Sequence, residues 1–238
     1  MARSYKRYRV EGFPELKVGE EIHTTYQLGI RFPDEPQDDE VHSRLRLLGE
    51  SEHPQFLKYK AQHEVPRSQL FRHQGVVHAR LIAIEEMMAY RDPASPYLYF
   101  KGTRYSDQFL RQLAKSIPEF HAYKREVDLR QLSQEIERKV KGGWFGDLKI
   151  QNVRTAAIFG GGVADDSEEW DRHRTTGKLA SVVIELSIAN EGLSAMLSND
   201  GGILIYTTQD EREDLDTLIR LDQIIQDFVL RDDVAITV

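Results

Sequence analysis

Four runs of strand-forming residues lie between Trp144 and Thr208, and none of the segments that join them has the apolar stripe of a crossover helix. The runs are WFGDLKIQNVRTAAIF, KLASVVIELSIA, LSAML and GILIYTT. Parallel neighbours need a long crossover connection, whereas antiparallel strands can follow one another through turns. The segment SNDGG between the last two runs is typical of a hairpin turn. The runs therefore predict three or four strands in an antiparallel sheet.

Amphipathic helices are predicted on both sides of these strands. The segment 126–141 has apolar residues at helical spacing followed by a glycine suited to end a helix, namely Leu129, Leu132, Ile136, Val140 and Gly142. The segment 211–230 begins with acids, which the helix dipole favours, and has an apolar stripe of Leu215, Leu218, Ile219, Ile225, Phe228 and Val229. The fold class predicted is α+β, a mixed N-terminal part followed by an antiparallel sheet flanked by two amphipathic helices.

The N-terminal part is predicted to contain strands, because YKRYRVEGF and EEIHTTYQLGIRF carry β-branched and aromatic residues between Gly and Pro. The segment VHSRLRLLGE is interpreted as a short helix that ends at Gly49. We expect two domains. The first, residues 1–125, is mixed and β-rich, and the second, residues 126–238, is an acidic α+β domain.

The composition excludes several classes of function. The chain has 238 residues and no cysteine, so a disulfide, a thiolate zinc site and a cysteine nucleophile are all excluded. No apolar run approaches the roughly 18 residues that cross a bilayer, and the first residues lack the apolar core of a signal peptide. We therefore expect a cytoplasmic protein that does not associate with membranes.

The net charge of −7 is unevenly distributed. Residues 1–141 carry 24 Lys and Arg against 21 Asp and Glu, whereas residues 142–238 carry 8 against 18. The first part is mildly basic and the second strongly acidic. Charge asymmetry of this kind favours an anionic partner for the first part, and we expect the acidic C-terminal half to mediate assembly.

The segment AAIFGGGV suggests a phosphate-binding turn, but its surroundings do not support one. Gly160 and Gly162 fit the first two positions of the dinucleotide-binding motif, and Asp165 occupies the third. The acidic run that follows, residues 165–173, contains ligands that a hard cation accepts, but their spacing does not match a calcium-binding loop. We interpret the segment as a glycine-ended strand that enters a solvated acidic loop, and we expect no metal and no cofactor.

Two His-x-Thr motifs allow a catalytic alternative. They are HTT, with His23 and Thr25, and HRT, with His173 and Thr175. The run IHTTYQLGI resembles a strand of the two-histidine phosphoesterases over about a dozen residues. The resemblance implies that one histidine acts as base and the other as acid, while the hydroxyl groups bind phosphate. This alternative is a metal-independent phosphoesterase.

The basic residues of the first part support the principal hypothesis, a non-catalytic binding or assembly protein. The expected contacts with an anionic partner are Arg3, Lys6, Arg7, Arg9, Arg67, Arg72 and Arg80. That partner is nucleic acid, since tyrosines interleave with the first four of these cations, or an acidic protein surface. A further alternative is that the basic half docks on the acidic half, within one chain or between subunits of a homo-oligomer. Trp144 and Phe145 are candidate anchors for a partner, with a core or interdomain position as the alternative.

Overall fold

The computed structural model describes residues 2–27, 40–67, 71–78, 81–102, 104–136, 139–165, 167–188, 191–206 and 210–236. Within these residues the chain is mainly antiparallel β-strand. It divides into two compact units. The C-terminal unit comprises Met1–Arg9 and Tyr123–Val234, and the N-terminal unit comprises Val10–Ala122 and Ala235–Val238. The domain boundary expected between residues 125 and 126 stays a prediction.

The N-terminal unit is built on an antiparallel sheet. Its strands are β2 (Glu21–Gln27), β3 (Glu40–Glu50), β4 (Leu57–Arg67), β5 (Phe71–His73), β6 (Val76–His78), β7 (Leu81–Arg91) and β8 (Tyr97–Lys101). The order in the sheet is β8-β7-β4-β3-β2, and β5 and β6 form a separate hairpin. Helix α1 (Ser106–Ser116) packs against β2, β3 and β4.

The segment that we interpreted as a helix ending at Gly49 is strand β3. Its burial alternates strictly, and the buried side chains are Val41, Ser43, Leu45 and Leu47. Gly49 lies at an irregularity in the pairing with β4 and has a φ of +126°, a conformation that L side chains rarely adopt. The alternation of period two identifies a strand with one buried face.

The C-terminal unit contains three of the four α-helices found among the described residues. Its strands are β1 (Arg3–Glu11), which continues into the N-terminal unit, β9 (His121–Val127), β10 (Val140–Gly146), β11 (Ala156–Phe159), β12 (Lys178–Ile188), β13 (Glu191–Ser198), β14 (Gly202–Ile205) and β15 (Val229–Ala235). Its helices are α2 (Leu129–Glu135), α3 (Glu168–Thr176) and α4 (Glu211–Ile225), and a 3-10 turn follows α4. The strand order is β11-β10-β12-β13-β14-β1, and β9 pairs with β1 and β15.

The α+β fold class with two flanking helices is wrong. The described part of the chain is mostly antiparallel sheet; the segment 126–141 begins in β9 and ends in β10, and the segment 211–230 holds α4 but ends in β15. The segment 126–141 contains only the short helix α2, between β9 and β10. Asp128 caps α2 by accepting hydrogen bonds from the backbone N–H groups of Arg130 and Gln131. Gly142 lies inside β10 and does not end a helix.

Other elements of the C-terminal half agree with the sequence patterns. Strands β12, β13 and β14 are antiparallel to their neighbours, and the turn SNDGG joins the last two. Helix α4 begins with a capping box formed by Asp210 and Glu213 and buries Leu215, Leu218, Leu221 and Ile225. The acidic run differs from the solvated loop that we expected, because Ser167 caps helix α3 there.

Candidate functional site

A pocket of about 310 Å³ lies between α1 and β4 of the N-terminal unit. The helix contributes a polar stripe with the spacing i, i+3, i+4 and i+7, formed by Gln108, Arg111, Gln112 and Lys115. Residues at this spacing share one side of a helix. The strands contribute His63, Glu64, Val65 and Pro66 from β4 and Val41 from β3. The pocket thus has a polar helical wall and a mixed strand wall.

The core of the N-terminal unit fixes the helical wall. Phe109, Leu110 and Leu113 of α1 are at most 1% exposed, so this apolar stripe anchors the helix on the sheet. Phe109 also packs edge-on against Phe100, with ring centroids 5.7 Å apart. The polar stripe lies beside this anchored face. The backbone that carries the polar side chains is therefore held in place by the core.

His63 is an uncharged part of the strand wall. Burial lowers the pKa of His63 below its usual value, although a hydrogen bond with Gln108 and the carboxylates of Glu64 and Glu85 oppose that shift. Its Nδ1 lies 2.8 Å from the hydroxyl oxygen of Ser43, the residue opposite it on β3. Because the pKa is lowered, the imidazole is neutral at neutral pH.

The serine–histidine pair has the composition of a nucleophile and its base but not the accessibility. Ser43 is 2% exposed and does not line the pocket. A nucleophile has to reach the reacting atom of a bound substrate. The Ser43 hydroxyl is enclosed within the unit, so the hydrogen bond positions His63.

The charges around the pocket favour an anion. Arg111 is exposed and forms no ion pair with any described residue. Lys115 lines the same wall, and Glu64 is the acidic group of the lining; its carboxylate accepts a hydrogen bond of 2.9 Å from the backbone N–H of His42. Gln112 is 6% exposed, and its Nε2 is buried without an acceptor among the described residues. A buried donor without a partner is costly, so an acceptor in the pocket would be stabilised.

The four predicted contacts on β1 all interact within the C-terminal unit. Arg3 lies 2.8 Å from Asp214, Lys6 lies 2.6 Å from Asp200, and Arg7 lies 3.0 Å from Asp222. The guanidinium of Arg9 stacks over the ring of Tyr123 at 4.8 Å. Lys6 and Arg7 are themselves buried. These contacts agree with the alternative in which basic residues dock on acidic ones within one chain.

The three predicted contacts in the N-terminal unit differ in their surroundings. Arg67 forms an ion pair with Glu85, and its guanidinium also lies 3.4 Å from the hydroxyl of Tyr105. Arg72 is exposed on β5. Arg80 lies outside the described residues. Neither Arg67 nor Arg72 lines the pocket between α1 and β4.

The two candidate anchors lie on opposite faces of β10. Phe145 is 1% exposed and packs edge-on against Trp170 of α3, with ring centroids 5.0 Å apart. Trp144 is 37% exposed and packs against Phe159 of β11 at 4.7 Å. Phe145 is therefore a core residue. Trp144 remains accessible to a partner.

The two His-x-Thr motifs lie in different units. His23 and Thr25 are exposed on β2, where the ring of His23 lies 5.0 Å from that of His42. His173 of α3 is 8% exposed and packs on Phe145, with ring centroids 5.7 Å apart. The Thr175 hydroxyl donates to backbone carbonyls one helical turn earlier. In the C-terminal unit, therefore, the HRT residues have local structural contacts.

The pocket residues were not predicted from the sequence. A signal for half of the site was present, because Gln108, Arg111, Gln112 and Lys115 share a helical stripe beside the apolar stripe of α1. The contribution of His63 could not be anticipated, since the chain between β4 and α1 forms several strands. Only the fold brings the two walls together.

No family model matches the chain, and a search of curated proteins found no significant match. The described residues form two compact units of mainly antiparallel β-strand. The N-terminal unit has a polar pocket. No described helix has the length and apolar character needed to cross a membrane. Within the described ranges, no three His, Asp or Glu side chains come close enough together to hold a metal ion.

Proposed function

We propose that the protein is a non-catalytic binding protein whose N-terminal unit holds an anionic group of a partner in the pocket between α1 and β4. One observation carries the proposal: a buried amide donor, Gln112 Nε2, lacks an acceptor among the described residues of the pocket wall. Arg111, whose guanidinium has no ion-pair partner among the described residues, adjoins it in the helix. An anionic oxygen accepts hydrogen bonds from both groups, and charge-assisted bonds are the stronger kind.

The charge balance favours a carboxylate over a phosphate. Among the residues that line the pocket, Arg111 and Lys115 are cations and Glu64 is an acid, and His63 adds no charge at neutral pH. One net positive charge balances a carboxylate, whereas a phosphate monoester carries close to two negative charges at pH 7. The volume of about 310 Å³ is at the lower end for ligand pockets and suits one side-chain group. Of the two expected partner classes, an acidic protein surface is therefore favoured over nucleic acid.

The phosphoesterase alternative is not favoured by any observation. It requires two histidines that reach one phosphate, and the His173 side chain is packed against the aromatic core of its unit. The nucleic-acid alternative loses support at β1, where Arg3, Lys6 and Arg7 already have carboxylate partners. Both alternatives place binding outside the pocket between α1 and β4. Substitutions in the pocket would therefore leave that binding unchanged.

The proposal is tested with fluorescently labelled oligoglutamate peptide and labelled single-stranded oligothymidylate, each titrated with the full chain at low salt. We expect the peptide to bind, and Arg111→Gln and Gln112→Leu each to weaken that binding by about tenfold, as for the loss of a charged hydrogen bond. Lys17→Gln is the matched control. It removes an exposed cation of the same unit that does not line the pocket.

Three outcomes contradict the proposal. The first is the absence of peptide binding at low salt. The second is peptide binding that Lys17→Gln weakens as much as Arg111→Gln, which indicates general charge attraction. The third is preference for the oligothymidylate with a steep salt dependence, which would instead support nucleic-acid binding.

A further inference from the structure

The outer edge of β11 is open within the described part of the C-terminal unit. Strand β11 pairs with β10 on one side and ends the strand order of its sheet. Gly160 donates its backbone N–H to the carbonyl of Lys141 at 3.0 Å. Backbone groups of an antiparallel strand alternate between its two sides, so those of Ala157 and Phe159 point outward. Outward N–H and C=O groups on an edge can pair with another strand.

One face of this edge is apolar and already ordered. Phe159 is 55% exposed and Trp144 is 37% exposed, and their rings form an edge-to-face pair. Gly142 makes room for this arrangement, because a Cβ atom there would lie 2.3 Å from Cδ1 of Phe159. Ala157, opposite Trp144 on β10, is exposed and small. The face therefore presents two aromatic rings beside the small side chain of Ala157.

Strand β11 has only four residues, but within it there is no charge, proline or bulge to prevent strand pairing. Natural proteins protect edges with charged residues, prolines or bulges. The four residues of β11 are Ala, Ala, Ile and Phe. Its pairing with β10 is regular over all four positions. Such an edge favours an extended partner.

The flanking charges identify the partner as a second copy. The exposed residues Asp147, Lys149 and Arg154 precede β11 and carry one net positive charge, whereas the exposed acids Asp165, Glu168 and Glu169 follow it, of which Glu169 pairs with Arg172. Antiparallel pairing of two identical strands brings the beginning of each strand near the end of the other. The basic segment of one copy then lies beside the acidic segment of the second, at both ends of the contact.

We propose that two copies of the chain associate through antiparallel pairing of their β11 strands. The outward groups fix the register, with Ala157 of each copy opposite Phe159 of the other and the two Ile158 residues opposite each other. Paired residues share a face of the sheet, so Phe159 of the second copy covers Ala157 next to Trp144. The contact is isologous and closes as a dimer. It is independent of the pocket between α1 and β4.

Sedimentation equilibrium of the full chain over a wide concentration range tests the proposal. We expect a reversible monomer–dimer equilibrium. Phe159→Lys should weaken the dimer by about thirtyfold or more, as for loss of an aromatic hot spot. Ala157→Pro should also weaken it, because it removes an outward N–H that β10 does not use. Ile84→Lys is the matched control, since Ile84 is 62% exposed but lies on β7 of the other unit.

A crosslinking experiment gives a second, independent readout. The chain has no cysteine, so Ile158→Cys introduces a single thiol per copy. The two introduced thiols would face each other in a non-hydrogen-bonded pair, where Cα atoms are close enough for a disulfide. We expect mild oxidation to give a disulfide-linked dimer, and Ile84→Cys to give much less. A monomer at every concentration, or a dimer that Phe159→Lys and Ala157→Pro leave intact, overturns the proposal.

Discussion

The guanidinium of Arg7 lies 3.0 Å from the carboxylate of Asp222, although 215 positions separate the two residues in the chain. Arg125 reaches the other oxygen of the same carboxylate at 2.9 Å. Both arginines are 2% exposed, and Asp222 is largely buried. One α4 carboxylate therefore joins two cations of β1 and β9 inside the C-terminal unit. The charge complementarity visible in the sequence is realised here as an internal ion-pair network.

Replacement of Asp222 should strongly destabilise the protein. Asp222→Ala removes the carboxylate from two buried guanidinium groups, and loss of one partner of a buried ion pair costs about 3–5 kcal/mol. The free energy of unfolding is measured by urea denaturation. Glu185→Ala is the control, because its ion pair with Lys141 joins side chains that are 53% and 39% exposed. Equal losses in the free energy of unfolding for the two substitutions would show that the buried network stabilises the protein no more than an exposed ion pair does.

The hydroxyl of Tyr5 should contribute to stability through a second α4 carboxylate. It donates a hydrogen bond of 2.5 Å to Asp214, which is fully buried. Tyr5→Phe removes that donor at nearly constant volume, and a hydrogen bond to a charged group is worth about 1.5–3 kcal/mol. Tyr206→Phe is the matched control, since the hydroxyl of Tyr206 is exposed and lies 3.8 Å from the sulfur of Met196, a weak acceptor. A loss under about 0.5 kcal/mol for Tyr5→Phe would contradict this assignment.

Regular elements with strong periodicity were predictable from the sequence. The β12–β14 strands and helix α4 follow from their residue patterns and from turn and capping residues. The helix over 126–141 was not correct, because the apolar spacing of Leu129 and Leu132 continues by coincidence into Val140 of β10. In β3 the buried residues recur at every second position, and the i, i+4 spacing of Val41 and Leu45 that results also fits a helix. Local spacing alone did not separate these periods.

The candidate site was less predictable than the fold. Charge counting selected β1 cations that tertiary pairing neutralises, since the partner carboxylates come from the far end of the chain. It passed over Arg111, which has no ion-pair partner among the described residues. The distinction between a paired and an unpaired cation requires three-dimensional contacts. Sequence composition does not contain it.

The stability of the protein should depend on His63 in weakly acidic solution. Burial lowers the pKa of folded His63 below the unfolded value of about 6.5, so the unfolded chain binds the proton more readily. The stability contribution of His63 is therefore complete above about pH 6.5 and decreases as the pH falls through the lowered folded pKa. Thermal unfolding between about pH 5 and 7.5 measures it.

The variant His63→Gln provides the comparison for that titration. Its amide can still form a hydrogen bond with Ser43, but it does not bind a proton in this range. We expect a smaller change in the unfolding temperature with pH than in the native chain. His121→Gln is the control, because His121 is exposed. Parallel pH profiles for the native chain and His63→Gln would show that His63 is not the titrating group.

The glycines of β10 should differ in their tolerance of a methyl group. A Cβ atom at Gly143 would lie 2.9 Å from both Trp170 Cη2 and Leu179 Cδ1 and 3.0 Å from the carbonyl oxygen of Ser181. Gly143→Ala therefore overpacks the contact between β10 and α3 and should destabilise the protein by about 1–3 kcal/mol. Gly146→Ala is the matched control in the same strand, since no atom of the described residues lies within 4 Å of its Cβ position. Urea denaturation compares the two variants, and equal stability would show that α3 shifts to accommodate the methyl group.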